Sequence, residues 1–251
     1  MKTRQMDGSI IPSFKHVLLL FLVATVCNLS LSAQNKVRVS LSGGLNDNDI
    51  TYKASNRINT EYQNESGNYF KAGVNFKVYK NISIQTGLTY LNKNYRFRRT
   101  ESLSSTTTLY ETRYFNIPVM VGIQPLANVL KNTKFNFEIL GGTYVGWWNS
   151  LDRDSSARIF AEYGHNVDLE DTVASISESY SFDTNENHFN RVDYGLQAET
   201  RLGYNFYKNL SFFVEYSFMY GLSDNQKNQL RQTSKYYYTT SNYGLGLSYN
   251  F

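Results

Sequence analysis

Tyr243, Leu245, Leu247, Tyr249 and Phe251 take every odd position of the last nine residues, and Gly244, Gly246, Ser248 and Asn250 take every even one. A period of two is strand spacing, with side chains pointing alternately to opposite faces. One face is therefore greasy and aromatic to the final residue, and the other is small or polar. A soluble sheet can hold such a strand, but its core has no need of a face ringed by Tyr and Phe up to the terminus. Lipid against the outer face does call for one. This constrains the rest of the chain, because an open sheet edge in lipid leaves each backbone N–H and C=O unsatisfied. A lipid-facing strand must belong to a closed barrel.

The start of the chain carries a different signal. Lys2, Arg4 and Lys15 precede an apolar run over residues 17–27, and small and polar residues follow over 28–34. This predicts a secretory signal peptide, residues 1–33, cleaved after Ala33. The run is too short to span a bilayer as a helix, which needs about 20 apolar residues. Val26 stands where a lipoprotein signal wants a small residue, which argues against Cys27 as a lipid anchor. Residues 34–251 then contain no cysteine, which excludes disulfides, thiol chemistry and Cys-based metal sites there. Losing Lys2, Arg4, Lys15 and Asp7 takes the formal charge from +4 to +2, against a nucleic-acid partner. Tyr 21 and Phe 16 against Pro 3 suits strands and the two aromatic girdles of an outer-membrane barrel.

Alternation marks eight strands: 37–45, 70–79, 82–97, 107–123, 135–147, 189–206, 210–220 and the terminal strand after residues 236–238. Pro118 sits inside the fourth, where a fully paired strand disfavours it. The third becomes less regular beyond Tyr90, which predicts a bulge in its upper half. Turns at 80–81 and 207–209 are tight and share the triplet Tyr-Lys-Asn. The stretches 46–66, 100–105, 149–187 and 223–234 are polar loops, and 124–134 is a linking segment. The short-then-long rhythm predicts an all-β, eight-stranded, antiparallel, up-and-down transmembrane barrel with periplasmic termini. A soluble β-sandwich is the competing architecture.

The segment Tyr114-Phe115-Asn116-Ile117-Pro118-Val119-Met120-Val121-Gly122 resembles the Y-L-E-I-P-L-L-L-K strand of the PorT-like outer-membrane β-barrel family. Residues 137–148 and Asp193-Tyr194-Gly195-Leu196 look like that family's next two strands. Asn116 and Gly122 depart from its usual Glu and Lys. The resemblance implies an eight-stranded barrel in the cell outer membrane. Its implied partners are outer-membrane lipid, lipopolysaccharide and the barrel-assembly machinery, with Tyr243, Leu245, Leu247, Tyr249 and Phe251 similar to an assembly signal. Some members of the family are linked to protein secretion, and the resemblance fixes no activity.

Parity turns Arg38, Lys71, Lys77, Arg191 and Arg201 into the lumen with Glu138, Asp193, Glu199 and Glu215. An eight-stranded interior is just wide enough for side chains to fill, and unpaired charge there is costly, so an ion-pair network is expected rather than a conducting pore. Ser179, Ser181, His165 and His188 invite comparison with lipid A-modifying barrels, but no spacing supplies an orienting acid or an oxyanion site. The acidic residues Asp152, Asp154, Glu162, Asp168, Glu170 and Asp171 lack Ca²⁺-loop spacing and read as solvated charge. Trp147, Trp148, Tyr204, Tyr216 and Tyr220 fit interface belts. No catalytic residue, cofactor or metal ligand is assigned. The function expected is that of a monomeric, non-enzymatic envelope protein that meets an envelope partner through its outer loops, above all 149–187. The alternatives are a small-solute channel, a secretion accessory and a lipid-modifying enzyme.

Overall fold

The computed structural model describes residues 37–52, 59–100, 104–130, 133–159, 172–181, 190–224, 227 and 236–251. The predicted signal peptide, His165 and His188 lie outside them. Among the described residues nine strands run β1 (Val37–Tyr52), β2 (Thr60–Tyr79), β3 (Ile82–Thr100), β4 (Ser104–Ile123), β5 (Phe135–Ile159), β6 (Thr172–Ser181), β7 (Val192–Tyr207), β8 (Leu210–Gly221) and β9 (Tyr236–Asn250). Every pairing is antiparallel. Eight strands form a ring in the order β1-β2-β3-β4-β5-β7-β8-β9, closed by β9 on β1, where Arg38 faces Asn250 and Leu45 faces Tyr243. β6 stands outside the ring as a hairpin partner for the upper half of β5, from Ser150 opposite Ser181 to Ile159 opposite Thr172.

The alternating faces decide which way each strand turns. Val39, Leu41 and Leu45 of β1, Ile117, Val119, Val121 and Ile123 of β4, and Tyr243, Leu245, Leu247, Tyr249 and Phe251 are all exposed on the outside. Their inward neighbours are polar, small or glycine, apart from Pro118 and Met120 on β4. Girdles mark both ends of the band. Tyr90, Phe115 and Trp147 stack successively at the outer end, with centroids 5.2 and 6.4 Å apart. Phe135 meets Tyr204 at 5.1 Å, and Tyr249 meets Phe251 edge-on at 4.9 Å, at the inner end. Trp148 corrects the expectation that it joins this belt. It is one residue out of phase with Trp147 and is buried in the lumen.

The strands also outrun the expected lengths. Residues 46–52 and 60–66 continue β1 and β2 where a loop was predicted, and β3 and β4 extend to Thr100 and from Ser104. Above the apolar belt the outer face turns polar while the inner face stays buried and is filled by Asn46, Asn48 and Ile50 of β1, so the apolar period vanishes while the backbone ladder persists. Asparagine amides reinforce it: Asn46 donates to the Asn92 carbonyl at 2.7 Å, and Asn94 to the Ser66 carbonyl at 2.9 Å. The expected β3 bulge lies instead on β2, where the register against β3 shifts between Asn64 and Tyr69. Pro118 is accommodated by two missing rungs between β3 and β4, and the Thr86 hydroxyl donates to the Pro118 carbonyl at 2.9 Å.

Phe251 ties the end of the chain to its first strand, its N–H donating to the Val37 carbonyl at 2.9 Å. Deleting Phe251 is expected to lower the yield of inserted barrel, read as the heat-modifiable band on gels. Insertion equal to that of the full chain would reduce the residue to an ordinary strand end.

Candidate functional site in the barrel lumen

Inward parity stacks charged side chains into three levels. Near the inner end, Arg38 pairs with Glu138, which also accepts from the Ser83 hydroxyl at 3.1 Å and the Asn75 amide at 3.3 Å. At mid-height, Lys71 Nζ lies 2.9 Å from Glu199 Oε2 and 2.8 Å from Glu215 Oε2. Arg201 Nε contacts the same two carboxylates at 2.6 and 3.2 Å. The Tyr69 and Ser42 hydroxyls donate to Glu215 Oε1 at 2.9 and 2.7 Å, and the Arg201 guanidinium reaches the Gln85 carbonyl at 2.7 Å. Nearer the outside, Lys93 pairs with Asp193, which accepts from Tyr144 at 3.3 Å and from Ser223.

The upper lysine is caged by rings. Its Nζ stands 4.5 Å from the Tyr114 ring, 5.2 Å from Tyr238 and 5.4 Å from Tyr144. A desolvated cation over an aromatic face gains about 2 kcal/mol. Around and above it, Leu91, Tyr114, Tyr144, Trp148, Met219 and Tyr238 form an apolar cluster across the lumen.

The balance of charge explains why these groups tolerate burial. Arg38, Lys71, Lys93 and Arg201 oppose Glu138, Asp193, Glu199 and Glu215, base for acid. Side-chain exposure at the middle level is 3 % for Lys71, 0 % for Glu199, 1 % for Glu215 and 4 % for Arg201. Water in a continuous pore would wet these atoms. Such pairs are held by mutual attraction against a desolvation cost of several kcal/mol per ion, so each charge depends on its partner.

Two of the nine residues assigned to this network lie elsewhere. Lys77 keeps inward parity but sits below the last level, exposed at the inner mouth, and Arg191 precedes β7 and is exposed at the outer end. Their place is taken by Lys93. β3 keeps its parity as far as this residue, with Gln85, Thr89, Leu91 and Lys93 all buried, so the same period of two would have identified it.

The outer sheet carries pairs of another kind. Arg96 meets Glu65 at 2.7 Å and Arg113 meets Asp152 at 2.5 Å, all partly exposed. Ser179 donates to Asp152 at 2.7 Å, so that hydroxyl sits in a hairpin contact. Of the acidic stretch, Glu162, Asp168, Glu170 and Asp171 lie outside the described residues. Among the described residues no metal-ligating group of three converges. On β6, a hydrogen bond from the Tyr180 hydroxyl, helped by Arg153, holds the Glu178 carboxyl below its ordinary range. A carboxylate with a depressed folded-state pKa stabilises above its unfolded value and ceases to do so as pH falls through the folded one. The β5–β6 hairpin is therefore expected to loosen below the usual carboxylate range, and Glu178→Gln to abolish that acid dependence. Amide exchange over residues 172–181, corrected for intrinsic rates, measures this; protection unchanged by acid would contradict it.

The family described as outer membrane protein beta-barrel domain matches residues 32–227. No curated protein matches the chain. Among solved structures, OprG from Pseudomonas aeruginosa is similar at 12 % identity and TM-score 0.41, over 87 % of this chain and 98 % of that one. Neisserial surface protein A is similar at 10 % identity and TM-score 0.40, over 86 % and 97 %. Ail of Yersinia pestis is similar at 13 % identity and TM-score 0.37, over 86 % and 99 %. Likeness at these scores carries no functional argument, and the architecture stands on the strand pairings themselves.

Proposed function

Because the chain belongs to the outer membrane protein beta-barrel domain family, we propose that it serves the outer membrane as a sealed, non-enzymatic barrel displaying a protruding β-sheet. The observation that carries this reading is the neutral, dry middle level of Lys71, Glu199, Arg201 and Glu215. A filled lumen leaves the outer surface as the working part. That surface is built of the upper parts of β1 to β5 with β6, and its partner is another component of the envelope or its surroundings. The barrel acts as a monomer, with lipid and lipopolysaccharide around its apolar belt. Planar-bilayer recordings of the pure protein are expected to be silent, and stable conductance steps would replace the sealed barrel with a channel.

The narrower kinship with PorT-like barrels, and with it a role beside protein secretion, is supported by the strand from Tyr114 to Gly122. The departure at Gly122 has a physical reading. A side chain at Gly122 would start 2.5 Å from the Ser83 hydroxyl and 3.2 Å from Glu138, in the space where Arg38 meets that carboxylate. A family-type lysine there would compete with Arg38 for the same acid.

A further inference from the structure

The inner mouth of the barrel holds a cavity of about 340 Å³ that the sealed-barrel reading leaves unused. Short turns of such barrels face the periplasm, so this cavity opens to that compartment. Five asparagines line it: Asn75, Asn81, Asn136, Asn205 and Asn250. Three cations join them, namely Arg38, Lys77 and Lys80. Around the rim Lys134 and Lys208 add to the charge, lying over the rings of Tyr204 and Tyr207. Among the described residues the one side-chain acid at this end is Glu138, buried and engaged by Arg38. Every other described carboxylate side chain stands higher in the lumen or at the outer end.

The tight turns carry part of this charge. Lys80 and Lys208 both adopt left-handed backbone, with φ of 25° and 28°. Glycine, asparagine and aspartate take such positions with less strain than a long side chain. Both turns nevertheless place lysine there and asparagine next, so a strained position is kept for a cation twice. Strain of this kind clusters at functional sites, and of the two lysines Lys80 lines the cavity.

We propose that this vestibule binds a short acidic peptide from the periplasm, its carboxylates drawn by Lys77 and Lys80 and its amides met by the asparagines. An asparagine amide both donates and accepts, so it can pair with both sides of a peptide group, where a bare anion uses its donor half alone; Asn75, Asn136 and Asn250 each already donate within the barrel, to Glu138, Asn205 and the Asn209 carbonyl. The cavity lies on the barrel axis, lined by inward-facing residues, and a lipid headgroup would have to climb over the rim to enter it.

The test uses the full-length mature protein in phosphatidylcholine nanodiscs, titrated with the tripeptide Ala-Glu-Ala, with N-acetyl-Ala-Gln-Ala-amide and with inorganic phosphate, and followed by amide chemical shifts. The acidic peptide is expected to shift Asn75, Asn81 and Asn136 while the neutral one does not. Lys77→Gln with Lys80→Asn should weaken binding about tenfold, from charge loss alone. Lys80→Asn eases the turn, so a lost barrel does not confound the result. Asn136→Leu should weaken the peptide and leave phosphate unchanged. Lys208→Asn, on the rim but outside the lining, should matter little. Phosphate binding as tightly as the peptide, with Asn136→Leu silent, would reduce the site to a generic cationic rim and overturn the proposal. So would displacement of the peptide by phosphatidylglycerol added to the nanodiscs, which would make it a headgroup contact, or the absence of any binding. None of these outcomes bears on conductance, so the sealed barrel is tested separately.

Discussion

Lys71→Met is expected to lower the unfolding free energy by about 3–5 kcal/mol, the usual consequence of stranding a buried charge. Lys71 answers two carboxylates at once, Glu199 and Glu215. Without it Arg201 alone must balance both, in a layer that water does not reach. The loss comes from the acids left behind, so it should be largely recovered in Lys71→Met with Glu215→Leu, which removes one charge of each sign. Urea titration in phosphatidylcholine vesicles, followed by the fluorescence of Trp147 and Trp148, measures both variants. A single variant within about 1 kcal/mol of the parent would mean that the layer is solvated, as surface pairs are.

Gly44→Val should be at least as damaging, for a steric reason. Gly44 faces Gly244 across the seam where β1 meets β9. A Cβ at position 44 would fall 2.0 Å from the Tyr243 carbonyl oxygen and 2.7 Å from the Gly244 Cα, and backbone atoms yield only if the ladder opens. Ordinary overpacking costs about 1–3 kcal/mol because side chains can shift, and here none is available to do so. The expected result is a chain that fails to reach folded mobility on unheated gels. Gly141→Ala is the matched control, since nothing lies within 4 Å of its added Cβ, and it should change stability by less than about 0.5 kcal/mol. Equal folding of the two variants would refute the steric account of the seam.

The ring was legible in the sequence because lipid on one side and packed polar groups on the other impose a strict period of two. Val39 and Leu41, or Leu245 and Leu247, announce their face without any knowledge of their neighbours. The same rule reaches Lys71, Glu138, Glu199, Arg201 and Glu215, which meet inside as parity implies. It gives only a face and no height, which is why Lys77, in phase with Lys71, still ends at the mouth. Strand extensions such as residues 46–52 escaped because asparagine fills the buried positions 46 and 48 while Asp47 and Asp49 face outward, which erases the apolar period. β6 was hidden because it too lacks an apolar period, four of its ten residues being serine. Which bases and acids share a level depends on the stagger between neighbouring strands, and that is a property of pairing that no single strand encodes.

The closure of β9 on β1 joins the first strand of the ring to the last. Until the final residues arrive, every shorter product of translation has two unpaired edges, one on β1 and one on whichever strand ends the chain. Ring formation therefore has to wait for β9, and its slowest contacts are those most distant in sequence. A chain stopped short of β9 keeps the β1 edge unpaired, so the last strand of the ring is the one that removes its open edges from the lipid.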